Sequence, residues 1–237
     1  MDDRQAAEVL WRGYFTHSKS WLVEAVESWM KSISNDSLLS KDPLVSAYAK
    51  IGVITFAVQA IEDFACMGYA YLRALDEGVE RIYEHVRDFA DPERENVGTV
   101  PGFFNLILSD NEAIQRLFGR EFGLSAKPHM RAIYDFCNKY RALYLKFKHG
   151  QGFVVMQWEN TLAVYIIPKT IDREKGRVKL PKDDFLITLD EWEHARDIAH
   201  RINGYFLRVR SLSVELFPAW KKEYEESLGR IIGKDAL

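Results

Sequence analysis

The chain has 237 residues, 47% hydrophobic and 13% aromatic, enough apolar surface for a substantial core. A charged fraction of 28% argues against global disorder, and a net charge of −3 with pI near 6.1 means that any surface for a polyanion must be local. Cys66 and Cys137 lie in apolar helical patterns and read as reduced core residues; no CxxC or Cys/His ladder points to zinc. The start, MDDRQAAEVL, is acidic and amphipathic, unlike a signal peptide. No run of eighteen apolar residues occurs, so no membrane association is expected, and the reading is a soluble, cytoplasmic protein.

Residues 3 to about 34 form a helical pattern through Val9, Leu10, Phe15, Leu22, Val23, Val26, Trp29 and Ile33. Ser34-Asn35-Asp36-Ser37 breaks it. Asp42-Pro43 opens a second helix, with Asp as N-cap and Pro at the first position. It runs to about Leu75 and is apolar almost all round from 51 to 71, IGVITFAVQAIEDFACMGYAY, which predicts a helix buried on every side. Glu62 and Asp63 interrupt that run, and a buried carboxylate needs a partner.

Residues 79–90 read as a short helix, and 91–102, with Pro92, Gly98, Pro101 and Gly102, as a loop. Ser109 and Glu112, three apart, form a capping box that starts a helix ending at Gly119 or Gly123. A long helix follows over 127–150, KPHMRAIYDFCNKYRALYLKFKHG, with Pro128 in its first turn and Gly150 just past its end. Ile133, Phe136, Cys137, Tyr140, Leu143, Tyr144 and Phe147 mark its buried face.

From about 152 to 168 the period changes to that of a β-hairpin, turning at Glu159-Asn160. Residues 178–180 or 185–187 are candidates for a further short strand. Thr188-Leu-Asp-Glu191 is a second capping box opening a long helix toward Leu216, and Pro218 precedes a polar last helix over 220–232. There is no internal repeat. The expected fold is mostly α: one helical domain over 1–237, a bundle of five or more helices with a small antiparallel hairpin before the C-terminal helices.

Three features bear on chemistry. The first is the basic end of the 127–150 helix. Arg141, Lys146, Lys148 and His149 lie together there, with Asn138 one turn before. Cations in a last turn satisfy exposed carbonyls without any ligand. The alternative reading is an anion site, with His149 able to move a proton near neutral pH.

The second is Glu193, Asp197 and His200 on one helix face, with Glu191-x-x-His194 and Asp197-x-x-His200 at the spacing of carboxylate-bridged metal bundles. No matching Glu-x-x-His precedes residue 190, and Arg196 and Arg201 are interleaved, so a solvated charged face is the reading and neither metal nor cofactor is expected. The third is negative: no phosphate-binding glycine loop, serine nucleophile elbow or Cys-His pairing stands out.

The stretch from Asn138-Lys139-Tyr140-Arg141 to Lys146-Phe147-Lys148-His149-Gly150 resembles the HEPN superfamily over about residues 40–150. That resemblance implies a small α-bundle, often dimeric, of prokaryotic defence or toxin–antitoxin type. The family's active members cut RNA without metal, using an Arg, a neighbouring polar residue and a His four to six positions further on. Here seven residues separate Arg141 from His149, and Ala142 stands where the polar residue is expected. Arg12 and His17 fit the window in a different helix, while Arg81–His85 and Arg196–His200 miss it by one. What the resemblance implies is RNA as ligand and a homodimer. Arg141 and Lys148, with Lys146 beside them, would hold phosphate; His149 would be the catalytic proton carrier; Glu62 or Asp63 would orient it. A non-catalytic helical module that binds a protein partner is the other expectation.

Overall fold

The computed structural model describes residues 2–16, 20–35, 42–89, 98–149, 152–158, 161–166 and 186–217, together with Lys222. Among them are eight α-helices: α1 (Asp3–Thr16), α2 (Ser20–Asn35), α3 (Pro43–Glu77), α4 (Ile82–Asp88), α5 (Val100–Ser109), α6 (Asn111–Phe118), α7 (Arg120–Lys148) and α8 (His194–Ser213). Three strands, β1 (Phe153–Trp158), β2 (Thr161–Ile166) and β3 (Leu186–Thr188), form an antiparallel sheet in that order. The mostly α fold with a hairpin before the last long helix is therefore present. The chain packs as two compact units. The first comprises Met1–Ser20, Glu62–Ala132 and Arg201–Leu237, and the second Trp21–Ile61 and Ile133–His200. α3, α7 and α8 each contribute a part to both.

The first unit is built around Phe64 of α3, which is 1% exposed. Its ring stacks on Phe118 of α6 at 6.1 Å and meets Phe103 of α5 edge-on at 5.8 Å. Phe206 of α8 meets it edge-on at 5.5 Å. Aromatic pairs at these separations add to the burial of their area. Gly68 keeps the approach open: a Cβ there would lie 2.6 Å from the Phe103 ring. Gly123 does the same for α6 and α7, where a Cβ would lie 2.6 Å from the Ile114 carbonyl oxygen.

Several boundaries in this unit differ from expectation. Only residues 98–99 of the described part of the 91–102 loop are non-helical, because Thr99 caps α5 by accepting the Gly102 N–H, with Pro101 in the first turn. The N-cap of α6 is Asp110, which accepts the Glu112 N–H at 2.8 Å, and not Ser109, whose hydroxyl donates back to the Asn105 carbonyl and ends α5. α7 starts at Arg120, directly after Gly119 with φ 89°, so Pro128 sits inside the helix and not in its first turn. Residues 79–88 are a 3-10 turn followed by α4.

In the second unit Asp42 caps α3 as expected, accepting the Leu44 N–H at 2.8 Å. The expected first helix is described as two, α1 and α2, with residues 17–19 outside the described part. Trp29 of α2 lies against Gly52 of α3, where a Cβ would be 2.5 Å from its ring, and meets Phe56 edge-on at 6.0 Å. α7 buries Ile133, Phe136, Cys137, Tyr140, Leu143 and Tyr144 as the spacing predicts, but Phe147 is 41% exposed. The Tyr144 hydroxyl donates to Gln59 Oε1. β1 pairs with β2 from Phe153↔Ile166 to Trp158↔Thr161, and β2 pairs with β3 through Val164↔Ile187. The second capping box does not open α8: residues 190–193 form a turn, Thr188 bonds Asp190, and the helix starts at His194. The Glu159-Asn160 turn, residues 172–175 and 178–180, and the last helix at 220–232 lie outside the described residues, Lys222 apart.

By length and composition α3 is apolar enough to cross a membrane, with mean hydropathy 1.6 over its best window. Within residues 54–69 all but Phe56, Gln59, Glu62 and Tyr69 are buried in the protein, so packing accounts for that apolarity.

Candidate functional site

The residues of the basic cluster lie on the second-unit part of α7. Asn138 is exposed, Arg141 and Lys146 are half-buried, and Lys148 and His149 are exposed. The Lys148 Nζ stands 5.4 Å from the Tyr144 ring centroid, within cation–π reach. The His149 N–H donates to the Leu145 carbonyl at 3.1 Å, so His149 extends the helical pattern one residue beyond α7. Gly150 is outside the described residues. Helix geometry separates Arg141 and His149 by about 12 Å along the axis and about 80° around it. No hydrogen bond joins them among the described residues, and they do not form a pair of hydrogen-bonded catalytic groups. Glu62 and Asp63 belong to the first unit, Asp63 buried and Glu62 half-buried, and both have partners.

The same geometry brings a different set together. At 100° per residue, Tyr134, Asn138, Arg141, Leu145, Lys148 and His149 share an arc about 100° wide and about 22 Å long. The arc carries three groups that are cationic or can become so, one half-buried aromatic and no acid, with Asp135 just beside it. Lys146 points to another side.

The acids and histidines of the metal-like spacing have separate partners. Glu191 meets Lys139 Nζ at 2.9 Å, His194 faces the Phe136 ring at 6.1 Å, and His200 Nε2 is 2.6 Å from Glu27. Asp197 lies 3.5 Å from Arg196. Among the described residues no three His, Cys, Asp or Glu side chains gather as metal ligands.

Other arrangements had no sequence signal, because each joins residues far apart in the chain. In the second unit, Lys139 of α7 binds Glu191 and approaches Asp190 at 3.9 Å, while Lys50 of α3 lies over Trp192 at 5.3 Å. Two lysines thus fasten the turn that precedes α8. Burial opposes the charge on Lys139, but the Glu191 carboxylate holds its amine above the usual range. The hydrogen bond from Thr188 holds Asp190 below the carboxylate range. Tyr140 beside Lys139 is fully buried, and burial pushes its phenol up to about 12.

In the first unit, His85 is 7% exposed and its Nε2 lies 3.4 Å from Glu77 without a hydrogen bond. Burial pulls its imidazole below the usual value, against the attraction of Glu77. Arg208 of α8 donates its Nε–H to the Phe118 carbonyl at 2.8 Å, closing the end of α6, and lies 5.5 Å from the Phe122 ring centroid. It borders an open depression of about 600 Å³ lined by Gly119, Arg120, Glu121, Phe122, Ser125 and Arg208. Beyond it His129 Nδ1 bonds the Tyr205 hydroxyl at 3.0 Å. The side chain of Arg12 and all of His17 lie outside the described residues. No family model, curated protein or solved structure matches the chain.

Proposed function

We propose that this protein is a HEPN-like helical module that binds single-stranded RNA along the end of α7 without cutting it. One observation carries the reading: the acid-free arc from Tyr134 to His149, in a chain of net charge −3. Three cations within about 12 Å, on an arc about 22 Å long, suit successive phosphates, with Tyr134 and Leu145 as apolar contacts for bases. A reacting phosphate instead needs its acid and base within hydrogen-bond reach of one centre. The separation of Arg141 and His149 therefore favours binding over cleavage.

The test uses fluorescence anisotropy of a labelled single-stranded RNA in chelator. Binding is expected, with affinity falling steeply as salt rises because phosphate contacts release counterions. Arg141→Ala and Lys148→Glu should each weaken it and flatten the salt slope. Absence of binding at low salt overturns the RNA reading and leaves the protein-partner module. Metal-free cleavage by wild type to cyclic-phosphate products, lost in His149→Ala, would instead restore the nuclease.

A further inference from the structure

We propose that the depression beside Arg208 binds a phosphate monoester carried on a flat organic group, such as a nucleoside monophosphate. The site lies wholly in the first unit and is separate from the α7 arc. Arg208 is exposed but anchored at one end. Its Nε–H is committed to the Phe118 carbonyl and its Cζ lies 5.5 Å from the Phe122 ring centroid, which orients the guanidinium, while no described residue takes its four Nη hydrogens. Gly119 makes the placement possible, since any Cβ there would lie 2.9 Å from Arg208 Nη2.

Arg120 lines the same depression, is exposed, and has no ion pair among the described residues. Among the described residues of the lining Glu121 is the sole acid, leaving a balance of one positive charge. It also stands in the first turn of α7, where it answers the positive helix end. The preference for an anion therefore rests on the two guanidiniums, which match a phosphate's oxygens by charge and by geometry. The depression, about 600 Å³ and open to solvent, leaves room for a phosphate and the group it is carried on. Phe122, 43% exposed at the edge, supplies apolar contact for the organic part.

Isothermal titration of the full chain with adenosine monophosphate, adenosine and inorganic phosphate tests this. The monophosphate should bind at least about tenfold more tightly than either fragment. Arg120→Ala should weaken it about tenfold, and Glu121→Gln should strengthen it a few-fold. Arg208→Ala should also weaken it, but that variant removes the closure of α6. Arg120→Ala, which breaks no described contact, keeps the test independent of folding. Lys148→Glu should leave nucleotide binding unchanged, so failure here is separable from failure of the RNA reading. No heat of binding with about 10 mM monophosphate at low salt overturns the proposal. So does equal binding by wild type and Arg120→Ala, or phosphate binding as tightly as the nucleotide.

Discussion

The Lys139 amine lies 2.9 Å from the Glu191 carboxylate and so ties the middle of α7 to the turn that leads into α8. In sequence these residues are 52 apart, and each belongs to a pattern with a simpler reading. Lys139 reads as part of a basic helix, and Glu191 as the last residue of a capping box. The bond between them accounts for a helix that starts five residues later than the box suggests: Glu191 is engaged by a lysine and Thr188 by Asp190, so neither serves the helix end.

Removing that tie should cost little but measurably. Both partners are partly exposed, 38% and 44%, so water screens the pair. Lys139→Ala should lower stability by about 0.5–1 kcal/mol in urea titration, and a double-mutant cycle with Glu191→Ala should recover most of that as coupling. A coupling near zero would mean that the turn is held by Lys50 and Trp192 alone.

Phe64→Ala should be far more damaging. The ring has four aromatic neighbours between 5.5 and 6.2 Å and is 1% exposed, so its loss leaves a cavity that the surrounding rings cannot all collapse into. A loss of about 3–5 kcal/mol is expected from the shift in urea midpoint. A loss below about 1 kcal/mol would remove Phe64 from the centre of the first unit.

Stability should fall on mild acidification because of His85. Its imidazole titrates below the ordinary 6.5 in the folded protein, so below that pH the unfolded chain takes up a proton that the folded chain does not. The contribution is complete above about pH 6.5 and is lost as pH falls from there through the folded value. His85→Phe should flatten the dependence of melting temperature on pH in that window. An unchanged slope in the variant would assign it to another group.

Two glycines should respond in opposite directions to alanine. Gly119 has φ 89° and Arg208 Nη2 against it, so Gly119→Ala should destabilise by about 1–2 kcal/mol. Gly204 is inside α8 with nothing within 4 Å of an added Cβ, so Gly204→Ala should stabilise by about 0.5–1 kcal/mol. Thermal melts of the two variants, run side by side, read both signs.

Local periodicity carried most of the fold. The all-round apolar run of α3 and the 3.6-residue spacing from Ile133 to Tyr144 both report burial directly, because a side chain's face follows from its position along the helix. The β-hairpin was legible for the same reason, through its period of two. Where local signals competed, sequence alone chose wrongly. Pro128 is a good first-turn residue, yet α7 begins earlier because Gly119 breaks α6 and the following residues continue helical. Pro101 and Gly102 suggest a loop, yet Thr99 caps them into α5, whose Phe103 and Phe104 pack inside the unit.

The candidate chemistry divides along the same line. Its residue types, the cations and histidine that close α7, stand in the sequence in plain order, and an arc along one helix needs no more than helical geometry to assemble. Whether Arg141 meets a carboxylate, which lysine holds the turn before α8, and that Arg208 would border an open depression beside Phe122 were not legible, because each depends on side chains brought together from distant segments. Spacing along a helix determines what one helix can present. Packing between elements determines what it meets, since that depends on which apolar faces bury each other and how closely residues such as Gly68, Gly119 and Gly123 let backbones and rings approach.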